Sequence, residues 1–348
     1  MTDATTTRRV IGVEEHAWTP ELRDALSKFG GDDTVNLMSS QGDVNLALLD
    51  VGEERLARMD SAGVDVEILS ITTPGTQPLP AQLAVPLASD ANDWLAQAVS
   101  DRPDRFAAFA TLPTADPAAA AAELDRAVTD LGLVGAMLFP RTGGVFLDHE
   151  SFRPVFEAAD ALDVPLYLHP ALPPEPVRLA NYSGFDQWIN MILSTGGWGW
   201  HAEAGLAALR LIVAGTFDRH PNLQIVLGHW GEMLVGFADR ADLLSGSAAH
   251  LERRVIDYIT GNLSVTAGGV FSHRMLAAAV DALGVDRVMF GQDDPYGRTG
   301  GRAGADSRGT FGGPGGALQF VRSAPLDHDA RDKLAHGNAE RLFKLPAA

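Results

Sequence analysis

The stretch VIGVEEH, residues 10–16, runs through aliphatic residues and stops on three polar side chains. Its Val and Ile content and its polar stop read as a short buried strand, Val10–Glu14, with chemistry at its end. The same pattern recurs far along the chain. VPLYLHP (164–170) stops at His169, LQIVLGHWGE (223–232) at His229, and RVMFGQDDPY (287–296) at Asp293 and Asp294. A parallel barrel gathers the ends of its strands on one face, and that face carries chemistry.

Counting outward from these four gives eight strand-like runs: Val10–Glu14, Val64–Ser70, Arg105–Thr111, Gly132–Phe139, Val164–Leu168, Leu223–Leu227, Asn262–Val265 and Arg287–Phe290. Helical patterns alternate with them, at Glu53–Ala62, Ala91–Val99, Pro117–Leu131, Phe152–Leu162, Ala202–Arg219, Met233–Asp239 and His273–Leu283. Strand–helix repetition with eight strands predicts an α/β chain folded as one (β/α)8 TIM barrel across residues 1–348. A bare barrel needs about 250 residues. The excess is assigned to insertions at about 19–50, 170–200 and 296–314, each following a strand that ends on a candidate ligand and so standing at the C-terminal face. The middle insertion holds Tyr182, Phe185, Trp188, Trp198 and Trp200, which either wall a pocket for a flat ligand or pack the insertion down.

The 348 residues carry a formal net charge of -18, which argues against nucleic acid or an anionic membrane as partner. No run approaches the ~18 apolar residues of a membrane span, and the opening MTDATTTRRV has no apolar core, so a cytoplasmic protein is expected. With no cysteine, any metal must be held by His, Asp and Glu, a donor set that suits Zn²⁺, Mn²⁺, Mg²⁺ or Fe²⁺. No G-x-G-x-x-G follows a strand to imply an organic cofactor.

Side chains alternate across a strand, so Glu14 and His16 share one face and Glu15 the other. On that parity Val10, Gly12, Glu14 and His16 line the barrel, and Ile11, Val13 and Glu15 face the helices. Glu-x-His at a strand end offers an oxygen and a nitrogen to one cation. Each residue alone reads as an ordinary rim or core group. Together, four ligand-bearing strand ends read as a site for one divalent metal. Glu232, three residues after His229, lies within reach of it if a helix begins at once, and a carboxylate partner fixes an imidazole's tautomer.

The chain resembles the decarboxylase branch of the amidohydrolase superfamily over nearly its whole length. The resemblance rests on VEEH (13–16), LLDVGEERLARMDSAGVDVEILSITTPGTQ (48–77), YLHP (167–170), FDRHPNLQIVLGHWGE (217–232) and GNAERLFKL (337–345). It implies that Glu14, His16, His169 and Asp293 bind the metal and that His229, supported by Glu232, is a catalytic histidine. It also implies that Arg240 lies near the substrate and that the protein is a homodimer or homotetramer. From the residues alone, Arg240 reads equally as a surface ion pair with Asp239 or Asp242. Relatives usually carry an aromatic after the eighth-strand aspartate, where this chain has Asp294. The substitution puts the usual aromatic wall in question and makes Asp294 a further ligand candidate.

The activity this implies is non-oxidative decarboxylation of an ortho-hydroxybenzoate or a related unsaturated small-molecule carboxylic acid. A proton delivered by Asp293, or by His229 through Asp293, goes to the ring carbon that bears the carboxylate. The C–C bond electrons then return to the ring as CO2 leaves. Hydrolysis of a lactone or amide by a metal-bound water uses the same residues and is the alternative. A barrel that binds without turnover is a third.

Overall fold

The computed structural model describes residues 9–29, 43–296 and 316–347. The insertion expected at 296–314 therefore lies outside the described residues except for Tyr296, as does the middle of 19–50. The eight expected runs each contain strand: β1 (Ile11–Ala17), β2 (Val66–Ile71), β3 (Phe106–Ala108, resuming at Ala110–Thr111), β4 (Ala136–Leu138), β5 (Leu166–Leu168), β6 (Ile225–Leu227), β7 (Leu263–Thr266) and β8 (Val288–Met289). Neighbours pair parallel in chain order, β1–β2–β3 and then β3–β4–β5–β6–β7–β8. Phe109 breaks β3 in the middle, so its first half pairs with β2 and its second with β4. At the last seam Val13 N–H donates to Phe290 O at 3.2 Å and His16 N–H to Asp294 O at 2.7 Å. The barrel thus joins back on itself through β1.

One apolar cluster fills the barrel: Ile11, Val13, Ile68, Phe109, Met137, Tyr167, Val226 and Met289 are all buried there, with Ala339 and Phe343. A second, larger cluster lies between strands and helices. The inward packing of Ile11 and Val13 reverses the parity expected from simple alternation. The cause is a bulge in β1. Gly12 pairs with Glu67 and Glu15 with Leu69, so Val13 and Glu14 together stand against Ile68. The extra residue lets Val13 pack into the core while Glu14 and His16 still turn toward the mouth, re-aiming side chains as bulges do beside active sites.

Each expected helical segment except one contains α-helix; that expected at Ala91–Val99 is longer, Ala81–Asp101, and an unexpected helix, Val255–Asn262, precedes β7. The predicted Ala202–Arg219 is two pieces, Gly199–Val213 and Thr216–Arg219, broken at Gly215 with φ 69°. The predicted Met233–Asp239 is not an α-helix: a 3-10 turn at Val235–Phe237 leads into the short helix Ala238–Ala241. Near the C-terminus, Asn338 donates its amide to Val285 O (2.7 Å) and Val288 O (2.9 Å), tying the closing helix to the start of β8.

A buried ion network braces β1 against the loop after β8. Arg55, fully buried, donates to Glu67 Oε2 at 2.6 Å and to His16 O at 2.9 Å. Glu15 accepts from Gln292 N–H (2.7 Å) and Asp294 N–H (2.9 Å). Asp294 accepts from Arg58 Nη2 at 3.2 Å. Removing one member of a buried pair leaves the other charge without a partner, at a cost of about 3–5 kcal/mol. Arg55→Met is accordingly expected to lower the unfolding free energy by about that amount in denaturant titration. Adding Glu67→Leu is expected to recover most of the loss.

Candidate functional site

Glu14, His16, His169 and Asp293 meet at the mouth of the barrel. One ligand atom from each lies within 4.8 Å of all the others. His169 Nε2 stands 3.3 Å from Glu14 Oε1, and His16 Nε2 stands 3.2 Å from Asp293 Oδ1. The far sides of the two imidazoles decide what those short distances mean. His169 Nδ1 is 2.8 Å from the carbonyl of Pro170, which can only accept, so Nδ1 carries the proton and Nε2 a lone pair. Ser70 gives its hydroxyl proton to Glu15 O and so accepts from His16 Nδ1 at 3.1 Å, which leaves His16 Nε2 bare as well.

Two lone pairs therefore point at two carboxylates across a buried space. Glu14 Oε1 and His16 Nε2 are buried with no hydrogen-bond partner. Burial pushes the Glu14 carboxyl above its usual range, although the charge of His229 opposes it. Burial likewise pushes His169 well below its usual value, helped by the neighbouring His229. A cation would relieve both, and two carboxylates with two neutral imidazoles carry the two negative charges that balance a divalent ion. The residues fit such an ion in donor type, charge and closeness.

The cage is packed tightly from behind. Thr266 donates its hydroxyl to Glu14 Oε2 at 2.8 Å. A Cβ on Gly228 would come within 2.5 Å of Glu14 Oε1, so any side chain there would have to displace that carboxylate. Gly228→Ala is expected to push the Glu14 carboxylate out of line and to weaken metal binding by about 10- to 100-fold, read as metal retained after dialysis against graded chelator.

Beside the cage, His229 Nδ1 bonds to Glu232 Oε1 at 2.7 Å, and its Nε2 faces Asp293 Oδ2 at 3.9 Å. The reach to Glu232 is not made by a right-handed helical turn. His229, Trp230, Gly231, Glu232 and Met233 all have positive φ, from 47° to 91°. Left-handed backbone costs roughly 1–2 kcal/mol per non-glycine residue, and such strain gathers where function requires it. Glu232 then spends its second oxygen on His201, whose Nδ1 lies 2.7 Å from Oε2. Trp200 donates its indole N–H to His201 Nε2 at 3.0 Å, which requires a lone pair there and leaves the proton on Nδ1. Gly196 O lies 3.2 Å from the same Nε2, ready to accept if the ring takes up a second proton, and in either state Nδ1 keeps its hydrogen.

His201, His229 and Glu232 are as close together as the cage residues. Their facing atoms, unlike those of the cage, are already joined through protons. Burial pushes His229 down, but the charges of Glu14 and Glu232 outweigh it and raise the imidazole well above its usual value. Burial also acts against ionised Glu232, yet the charges of His229 and His201 hold it at about 2. For Asp293, burial is outweighed by the neighbouring imidazoles of His16 and His229, and its pKa is about 2.

Residues 40–345 match the family described as amidohydrolase. The chain is 35% identical to gamma-resorcylate decarboxylase of Rhizobium sp. (strain MTP-10005) over 352 residues, 97% of this chain and 99% of that one. The chain belongs to the amidohydrolase family. Solved amidohydrolase structures agree in fold across the whole length. The 5-carboxyvanillate decarboxylase of Sphingomonas paucimobilis superposes with a TM-score of 0.86 at 34% identity, covering 97% of this chain and 99% of that one. A dihydroxybenzoic acid decarboxylase from Polaromonas sp. JS666, solved with manganese and the inhibitor 2-nitroresorcinol, gives 0.80 at 32% identity, with 98% of each chain covered. Both likenesses place this chain in the decarboxylase branch of the amidohydrolases.

Three expectations about the rim are revised in this amidohydrolase. Asp294 does not join the cage: its N–H is held by Glu15 and its carboxylate accepts from Arg58. The aromatic wall is not lost, because Tyr296 sets its ring 5.5 Å from His16 and bonds through its hydroxyl to Thr72 Oγ1 at 2.7 Å. Arg240 is exposed on Ala238–Ala241 and makes no side-chain bond with Asp239 or Asp242 among the described residues; Asp242 is taken by Arg254. The aromatics of the middle insertion divide. Trp200 holds His201, whereas Phe185 and Trp188 stand exposed at 61% and 57%.

Two hollows lie near this mouth. One of about 330 Å³ opens between Pro74, Phe139, Pro173 and Arg178, and none of the four cage residues lines it. The other, about 270 Å³, is largely apolar and has His201 and His229 in its wall. No cage residue lines the second either; the first adjoins the cage through Phe139, 5.9 Å from His169, and the second through His229.

Proposed function

We propose that this amidohydrolase is a metal-dependent, non-oxidative decarboxylase of a hydroxybenzoate-type or related unsaturated carboxylic acid, built as one barrel domain over residues 1–348. The observation that carries the reading is the pairing of two bare imidazole nitrogens with two carboxylate oxygens, brought together from three strand ends. It occurs in a chain that matches decarboxylases from end to end.

Glu14, His16, His169 and Asp293 would hold the ion. When bound, it would supply a Lewis acid that draws electron density from the substrate's oxygens. The remaining work belongs to side chains. His229, kept protonated on Nδ1 by Glu232, turns Nε2 toward Asp293 Oδ2 and toward the incoming ring. Asp293, with His229 behind it, delivers a proton to the ring carbon that carries the carboxylate. The C–C bond then breaks, its electrons return to the ring, and CO2 departs. Tyr296 and Phe139, whose rings lie 5.5 Å from His16 and 5.9 Å from His169, wall the space for a flat ligand. A substrate contact for Arg240 rests on the family resemblance alone.

A homodimer or homotetramer is what the family resemblance implies, and Phe185, Trp188, Phe237 and Leu243 are large apolar side chains left exposed for such contacts. No described helix is long and apolar enough to cross a membrane, in keeping with the cytoplasmic location we propose.

The test is CO2 release from a panel of hydroxybenzoates by protein stripped with chelator and reloaded with Mn²⁺, Zn²⁺ or Mg²⁺. Activity lost on stripping and regained with one ion supports the reading. Turnover of a lactone or amide panel without CO2 would replace it with hydrolysis.

A further inference from the structure

The cage is closed on most sides. Glu14 and His16 have no exposed side-chain surface and His169 has 4%, while Asp293 keeps 17% and His229 beside it 11%. A ligand therefore reaches the cage across Asp293 and His229. The other face of that approach is the apolar chamber of about 270 Å³, walled by Trp198, Met233, Val235, Val270 and Met275 with the two imidazoles. None of the cage residues lines it, so it does not receive the groups that bind at the cage. No Lys, Arg, Asp or Glu lines it, so a charged substituent placed there would be buried without a partner.

An apolar cavity of about 150 Å³ already takes up benzene. The chamber thus exceeds what a hydrogen or methyl on the substrate ring would need. Two of its wall residues are methionines, whose unbranched chains adapt to ligands of different shape. We infer that the preferred substrate carries, besides the carboxylate and ortho oxygen, an apolar substituent of roughly three to five carbons that occupies this chamber. The inference rests on the decarboxylase reading and goes beyond it by naming the class of acid.

The experiment uses the manganese-loaded full chain and two series of hydroxybenzoates derived from 2,6-dihydroxybenzoate and bearing hydrogen, methyl, propyl or pentyl. One series is substituted para to the carboxylate, the other at the ortho position in place of one hydroxyl. Each methylene buried in the chamber is expected to raise kcat/KM about four-fold in at least one series. In Met275→Trp, which fills the chamber, the pentyl-to-hydrogen ratio of kcat/KM is expected to fall to about one. Ala278→Leu, which fills less of it, is expected to lower the ratio part-way, and both variants are compared at matched metal content and Tm. CO2 from the unsubstituted acid with a flat or falling response in both series overturns this inference alone. So does a ratio that Met275→Trp leaves unchanged. No CO2 from any acid removes the decarboxylase reading and this inference with it.

Discussion

Asp293→Asn is expected to lower the rate of decarboxylation roughly a thousand-fold while the protein melts at the parental temperature. The two halves of that expectation have separate causes. Asp293 sits at φ 60°, in the left-handed region that asparagine and aspartate tolerate better than other side chains with a Cβ. The loop around it is held by the Glu15 carboxylate through the N–H groups of Gln292 and Asp294, not by Asp293 itself. The backbone therefore survives the change. An amide, however, can neither release nor accept a proton at neutral pH. It also reduces the negative charge of the cage by one, so metal content falls and the rate must be compared at saturating Mn²⁺. Asp293→Ala is the contrasting variant. It loses the ligand atom and adds about 1 kcal/mol of left-handed strain, so its Tm is expected to drop as well. An Asn variant that holds a full complement of metal and turns over near the parental rate would remove Asp293 from proton transfer.

The barrel was legible because each buried strand wrote itself as a run of Val, Ile, Leu and Phe stopped by a polar or turn residue. Eight such runs, alternating with helical patterns, leave few other architectures. What could not be read was the phase within β1. Alternation from Val10 places Glu14 and His16 correctly but turns Ile11 and Val13 the wrong way, since the bulge opposite Ile68 shifts the count between Val13 and Glu14. A bulge depends on the partner strand, and Ile68 lies more than fifty residues away. The failed helix at Met233–Asp239 has a related origin. Its composition suits a helix, yet the left-handed run from His229 to Met233 rules out a right-handed start, and no local propensity announces that strain.

The cage residues and His229 were legible for a different reason: ligand-type residues at four strand ends must converge once the strands close into a barrel. His201 was missed. It lies in GWGWHAE, where the surrounding aromatics drew attention to a ligand wall, and the helix was expected to begin only at Ala202. The one available signal was an acidic partner with a spare oxygen, and Glu232 had already been assigned to His229. Asp294 shows the opposite error. Adjacent carboxylates look interchangeable in sequence, but Asp293 at positive φ and the Glu15 bond to the Asp294 N–H send the two side chains to opposite sides of the loop. One faces the cage and the other the arginines.

Glu232→Gln carries the second large effect. The native carboxylate accepts from two imidazoles at once, His229 Nδ1 on Oε1 and His201 Nδ1 on Oε2, each at 2.7 Å. Glutamine offers one accepting oxygen and one donating nitrogen, so one imidazole must meet a donor. Trp200 already occupies His201 Nε2 with an N–H, which keeps the His201 proton on Nδ1 and directs the glutamine oxygen toward it. The amide NH2 then faces His229 and forces its Nδ1 to accept, which moves the His229 proton to Nε2 and removes the charge that held the imidazole ionised. Wrong-tautomer substitutions beside a catalytic histidine cost about ten-thousand-fold in a serine protease, and a loss of roughly a thousand-fold or more in kcat is expected here. His201→Asn supplies the control. Its amide N–H can replace Nδ1–H toward Glu232, so the loss is expected to stay within about ten-fold, whereas His201→Phe, which leaves Oε2 unpaired, should cost about 10- to 100-fold. None of these residues belongs to the cage, so elemental analysis should find the same metal content in all three variants. A Glu232→Gln protein with full metal and a kcat within ten-fold of the parent would mean that His229 takes its tautomer from elsewhere.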